Sequence, residues 1–131
     1  RASAPDCGPG RVVPTFMRAE RIADGTVVAP GALLRKEWTL NNHGDCTWAA
    51  GTVRLRFVRA EPEFPHGAMP DVVVDQDVPP SGTFTFRAPF HAPTGPGSYM
   101  LHWQVLGVDG RPVKVSATKT IWASITVRAN R

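Results

Sequence analysis

Apolar and polar residues alternate with a period of two along most of this chain, the pattern of strands with one buried face. Residues 33–48 show it best. Leu34, Trp38 and Leu40 share one parity, while Arg35, Glu37 and Thr39 take the other. Lys36 interrupts the apolar row, and its stem is expected to lie along the core with the ammonium at an edge. The strand is expected to stop at residues 41–45, Asn-Asn-His-Gly-Asp, which favour turns. Cys46 and Trp48 follow, and a second strand over residues 52–59 turns Val53, Leu55 and Phe57 inward.

The remaining segments fit the same scheme. Strands are expected over residues 15–22, with Phe16 on one face, and over 26–29 after an Asp24-Gly25 turn. Further strands are expected over 71–78, over 83–88 with Phe84 and Phe86 inward, and over 98–106 with Tyr99, Leu101, Trp103 and Val105 inward and His102 outward. A last strand over 121–129 has Ile125 and Val127 inward, and residues 112–120 read as a short strand or a loop. The proline-broken segments 61–70 and 89–97 read as loops. Eight or nine short strands with turn signals about every ten residues predict an all-β fold, an immunoglobulin/fibronectin-III-like two-sheet β-sandwich. Gly97-x-Tyr99 resembles a tyrosine corner, in which the phenol bonds to backbone at a sandwich edge.

Length adds that one domain is expected in 131 residues. Residues 1–14, rich in Pro and Gly, are expected to form an extended lead-in, and residues 15–131 the sandwich. The chain starts at Arg1 without a methionine and is expected to be a piece of a longer protein whose other parts hold any targeting information. No apolar run approaches the ~18 residues of a membrane span. The formal charge of +4 is a mild excess with the arginines scattered, so no nucleic-acid contact is expected.

Cys7 and Cys46 are the whole cysteine supply, and neither belongs to a C-x-x-C pair, which argues against a thiolate zinc site. Two free buried thiols are the default in a cytosolic protein. An irregular lead-in has little reason to bury a lone thiol, however, and Cys46 lies in a turn. A Cys7–Cys46 disulfide is therefore favoured, stabilising by about 4 kcal/mol on the loop-entropy model. It would imply an oxidising, extracytoplasmic or secreted setting, with cytoplasmic residence as the alternative.

No catalytic constellation is found. His43, His66 and His91 fall in expected loops and His102 on an outward position; His66 and His91 with Asp71 or Asp75 have no metal-specific spacing. No serine sits in a G-x-S-x-G elbow, and no glycine loop cradles phosphate. Neither cofactor nor metal is expected. The four tryptophans are the unusual feature. Trp38 and Trp103 sit on inward parities and are expected in the core. Trp48 and Trp122 lie outside clean alternation and are candidates for partial exposure, where an indole can pack a partner. Phe64, Met69 and Phe90 are apolar residues of expected loops. They either fold back as a lid or, with Trp48 or Trp122, line a groove for an extended or terminal peptide.

Several fragments together resemble one family: Asp24-Gly25-Thr26 with Pro30-Gly31; Lys36-x-Trp38-x-Leu40-x-Asn42-x-Gly44; Cys46-x-Trp48; Gly97-x-Tyr99-x3-Trp103; and Trp122-x2-Ile125-x-Val127. Across residues 16–128 the chain resembles the four-tryptophan (FW) domain, the immunoglobulin-like central domain of selective-autophagy cargo receptors, in a bacterial-type version. The resemblance implies a sandwich without catalytic activity that binds proteins, autophagy cargo among them in the eukaryotic receptors. In relatives of extracytoplasmic type, an upstream cysteine accompanies Cys-x-Trp, as Cys7 accompanies Cys46 here. Two departures stand out. Residues 110–122 lack the phenylalanine-glycine pair common before the fourth tryptophan, and the 62–70 loop is this chain's own, so cargo specificity does not carry over. The expected function is a non-enzymatic protein- or peptide-binding module, an extracytoplasmic part of a larger bacterial protein. A carbohydrate-binding module and a structural spacer without its own ligand are the alternatives.

Overall fold

The computed structural model describes residues 4–9, 15–116 and 118–129, apart from the side chains of Thr15, Phe16 and Arg18. The expectations for most of the lead-in and for the face taken by Phe16 lie outside the described residues. Nine strands follow in order: β1 (Thr15–Arg21), β2 (Thr26–Val28), β3 (Leu33–Asn42), β4 (Arg54–Glu61), β5 (Val72–Val73), β6 (Thr83–His91), β7 (Gly97–Leu106), β8 (Pro112–Val113) and β9 (Ile121–Val127). They form two sheets. One is β1-β3-β6; the other is β2-β9-β7-β4-β5, with β8 beside β7. All ladders are antiparallel except β2–β9. The fold is the expected all-β sandwich.

Alternation in β3, β6, β7 and β9 builds the space between the sheets. Trp38, Leu40, Phe86 and Phe90 meet Leu101, Trp103, Ile121 and Ile125 there, all buried. Trp38 and Trp103 join the two sheets edge to face, with ring centroids 5.0 Å apart, and Phe57 and Phe90 pack on Trp103 at 5.3 and 5.8 Å. Such pairs stabilise by about 0.5–1.5 kcal/mol beyond the area they bury. The Tyr99 hydroxyl donates to the Gly95 carbonyl at 3.0 Å, the tyrosine-corner bond.

Local chemistry explains the differences from the expected pattern. β3 runs on to Asn42, because this residue is fully buried and bonded rather than turning out. Its Nδ2 donates to the carbonyls of Cys46 (2.9 Å) and Val78 (3.0 Å), and its Oδ1 accepts from Gly44 N–H (2.9 Å). A register shift between Phe57 and Arg59 reverses the parity of β4, so Ala60 is buried while Val58 is exposed. The strand expected over residues 71–78 shrinks to Val72–Val73 and a bridge from Val78 to Trp48; the turn-forming Asp75-Gln76-Asp77 leaves the ladder, and Asp77 accepts from Ala50 N–H instead. β6 extends to His91, so Phe90 is a strand residue and not a loop residue. His102 does take the outward parity but is nearly buried, covered by Glu61 at 2.7 Å and Thr120 at 3.3 Å.

Cys7 and Cys46 are joined in a disulfide, with Cα atoms 4.9 Å apart. The backbone prepares the join. Cys7 N–H donates to the Thr47 carbonyl and Thr47 N–H to the Pro5 carbonyl, both at 2.8 Å. Residues 5–7 thus run parallel to the chain at Thr47 and are tied there.

Candidate functional site: the groove at Trp122

The five apolar candidates do not converge. Trp48 has no accessible surface, so the expectation of partial exposure is corrected: its backbone bonds reciprocally with Val78 and draws the indole into the core. Phe90 is likewise in the core, against Trp103. Phe64 and Met69 are half-buried and pack on the core from the 61–70 loop; Phe64 sits on the ring of the corner tyrosine at 5.6 Å and against His66 at 5.5 Å. Trp122 alone among the tryptophans is half-buried rather than buried. The indole N–H groups of Trp38 and Trp48 are buried without an acceptor among the described residues, at a typical cost of about 1–3 kcal/mol each.

Trp122 takes the outward parity of β9 and lines a groove of ≈ 190 Å³ with Met17 and Glu20 of β1 and with Val115, Ser116 and Thr118. A small hairpin makes the far wall. Val115 and Thr118 pair across it, the Thr118 hydroxyl donates to the Val115 carbonyl at 2.7 Å, and Ser116 takes a left-handed φ of 48°. Met17 N–H donates to Ser116 Oγ at 2.9 Å, which bonds the hairpin to the edge of β1. A register shift between Met17 and Ala19 bends β1 at this point. Residues 112–120 were ambiguous in sequence, and no periodicity marks Met17 or Glu20; only their position opposite the hairpin makes them part of a site.

Glu20 brings charge to the groove. Its Oε1 accepts from Lys36 Nζ at 2.7 Å. Lys36 is wholly buried: its ammonium also donates to the Ile22 carbonyl at 2.6 Å and stands 5.8 Å from the centroid of Trp38. The expected stem-in, head-at-edge placement holds, with Glu20 as the edge. Ile22 takes a left-handed φ of 50°, costly for a β-branched residue, and in that conformation its carbonyl reaches the ammonium.

His66 packs on Phe57 at 4.7 Å, the Nδ1 of His91 meets the Gly31 carbonyl at 3.2 Å, and no group of three His, Cys, Asp or Glu is placed to hold an ion among the described residues. Arginines of the outer face meet carboxylates: Arg56 holds Asp71 at 2.9 Å, Arg54 approaches it at 3.6 Å, and Arg87 meets Glu37 at 3.4 Å. The hydrogen bond from Arg56 holds the Asp71 carboxyl below its ordinary value, and the hydrogen bond from His102 does the same for Glu61.

Residues 21–127 match the model of the Ig-like domain from next to BRCA1 gene. The chain belongs to this family. Two relatives of this Ig-like domain family are the protein NBR1 homolog of Arabidopsis thaliana, 28% identical over 88% of this chain, and the next to BRCA1 gene 1 protein of Rattus norvegicus, 32% identical over 76%. The chain spans only 16% and 10% of the length of these relatives. Among solved structures, the CARDB domain of a Pyrococcus furiosus protein superposes with a TM-score of 0.56 at 12% identity, covering 88% of this chain and 94% of that one, which reflects the shared fold. No helix among the described residues is long and apolar enough to cross a membrane.

Proposed function

We propose that this Ig-like domain is a non-catalytic module that recognises a protein or peptide segment, and that the groove at Trp122 is its contact site. The observation that carries this reading is the half-buried Trp122 lining, with Met17, a mainly apolar groove that also holds a carboxylate. Its volume lies below the about 300 Å³ of ordinary small-molecule pockets, and suits one inserted side chain. Aromatic and thioether surfaces are the usual anchors of protein contacts. The second oxygen of Glu20 offers an acceptor to a donor beside the inserted group. Membership of the family supports interaction rather than catalysis. The disulfide supports an oxidising compartment, as in an extracytoplasmic part of a larger bacterial protein.

Trp122→Ala and Met17→Ala should abolish selection of peptides from a displayed library by the immobilised domain while leaving Tm within a few degrees of the parent. Unchanged selection by both variants would place the binding surface elsewhere. An exposed indole also stacks on sugars, so the same proteins on a glycan array decide between peptide and carbohydrate.

A further inference from the structure

The small sheet ends at β6, whose outer edge pairs with no strand among the described residues. Register determines what that edge presents. Ladder bonds between antiparallel strands alternate, so every second residue of an edge strand turns both N–H and C=O outward. Asn42 N–H donates to the Gly82 carbonyl at one end of the β3–β6 ladder, and Ala92 N–H to the Ala32 carbonyl at the other. The register between them runs unshifted from Leu33↔His91 to Asn41↔Thr83. The even-numbered residues of β6 therefore bond to β3, and Thr83, Thr85 and Arg87 turn their backbone groups away from it. Pro89 shares that parity. Its missing N–H costs no ladder bond there, and it closes the open stretch at one end.

These outward groups border a groove of ≈ 410 Å³ with Asp75 and Gln76 among its lining residues. Arg87 is paired with Glu37, and Asp77 nearby accepts from Ala50 N–H. Asp75 has no ion-pair partner among the described residues, so the uncompensated charge of the groove is negative. An unpaired strand edge is a template for another extended backbone.

We propose that the β6 edge is a slot for one extended, basic peptide segment, which adds a fourth strand by pairing with Thr83, Thr85 and Arg87 and sets a lysine or arginine against Asp75. A second copy of this chain is the poorer occupant: pairing of two β6 edges brings a second Arg87–Glu37 pair and a second Asp75 but no free cation. The slot goes beyond the Trp122 reading, since it lies on the opposite edge of the same sheet from β1, and its failure leaves that groove untouched.

The test uses an end-capped heptapeptide alternating lysine with valine, a second with serine for lysine, and a third with N-methyl groups on alternate amides. Amide exchange of the 131-residue protein is followed by NMR. The lysine peptide should protect the amides of Thr83, Thr85 and Arg87, and both control peptides should bind about tenfold more weakly or worse. Thr85→Pro, which removes an outward N–H without removing a β3 bond, should lose binding. Thr85→Val, which keeps the N–H and loses the hydroxyl, should retain it. Asp75→Asn should weaken the lysine peptide and leave the serine peptide unchanged. The proposal is overturned if no peptide protects these amides, if N-methylation has no effect, or if the amides are already protected in free protein in a concentration-dependent way, which would identify a second copy as the occupant. The N-methyl comparison needs no variant, so a Thr85→Pro protein that fails to fold does not blunt the test.

Discussion

Lys36 is a lysine with no accessible surface in a core of tryptophan and leucine, and its replacements separate two contributions. The first is the packing of the stem. Lys36→Ala removes Cγ, Cδ, Cε and the ammonium; at about 0.8 kcal/mol per buried methylene, transfer alone loses about 2–3 kcal/mol. The cavity left beside Trp38 raises this to about 3–4 kcal/mol. The second contribution is the ion pair. Lys36→Met keeps the length of the stem and deletes the ammonium with its bonds to Glu20 and the Ile22 carbonyl. The Glu20 side chain is 36% exposed, so it returns to water, and the desolvation of the ammonium is recovered. Replacing a buried pair by apolar atoms of similar volume is often neutral, and Lys36→Met should lie within about 1 kcal/mol of the parent. Glu20→Ala does the reverse, leaving the ammonium buried with one carbonyl and an indole face. It should cost about 2–3 kcal/mol, reduced from the fully buried case by the exposure of Glu20. Urea unfolding followed by tryptophan fluorescence gives all three values, with constant m as the check on two-state behaviour. If Lys36→Met is as unstable as Lys36→Ala, the polar contacts and not the stem hold this site, and the reasoning fails.

Three further outcomes are expected. Reduction of the Cys7–Cys46 bridge, or the double serine variant, should lower unfolding free energy by about 4 kcal/mol for a sequence separation of 39, and intact mass before and after reduction and alkylation should show two thiols only after reduction. Trp38→Ala and Trp103→Ala should each cost about 3–5 kcal/mol in the same urea assay, because each empties a large site at the contact between the sheets. Glu61 and Asp71 have folded values below their ordinary ones, so the stability they contribute is present above the unfolded carboxyl value and lost as pH falls through the lower folded value. Glu61→Gln and Asp71→Asn should therefore flatten the acid side of the Tm–pH curve and leave it unchanged in slope above neutrality.

The sandwich and the membership of its core were legible in the sequence wherever a strand buried one face without interruption. Trp38, Leu40, Phe86, Leu101, Trp103 and Ile125 follow from parity alone, because a period of two leaves a residue no choice of side once its neighbours are placed. The disulfide was legible for a weaker reason, since two cysteines allow one intramolecular pairing. Tertiary structure decided the cases where a residue's environment comes from another strand. Trp48 is buried because Val78, thirty positions on, pairs with its backbone. Asn42 stays in the sheet because its amide reaches the distant Val78 carbonyl as well as the nearby Cys46 carbonyl, against its preference for turns. The Trp122 groove exists only because β1 of one sheet and the 115–118 hairpin beside the other are bonded together, from Met17 to Ser116. Alternation is a local property and can be read along a chain; a groove between sheets depends on contacts far apart in sequence, which no local pattern encodes.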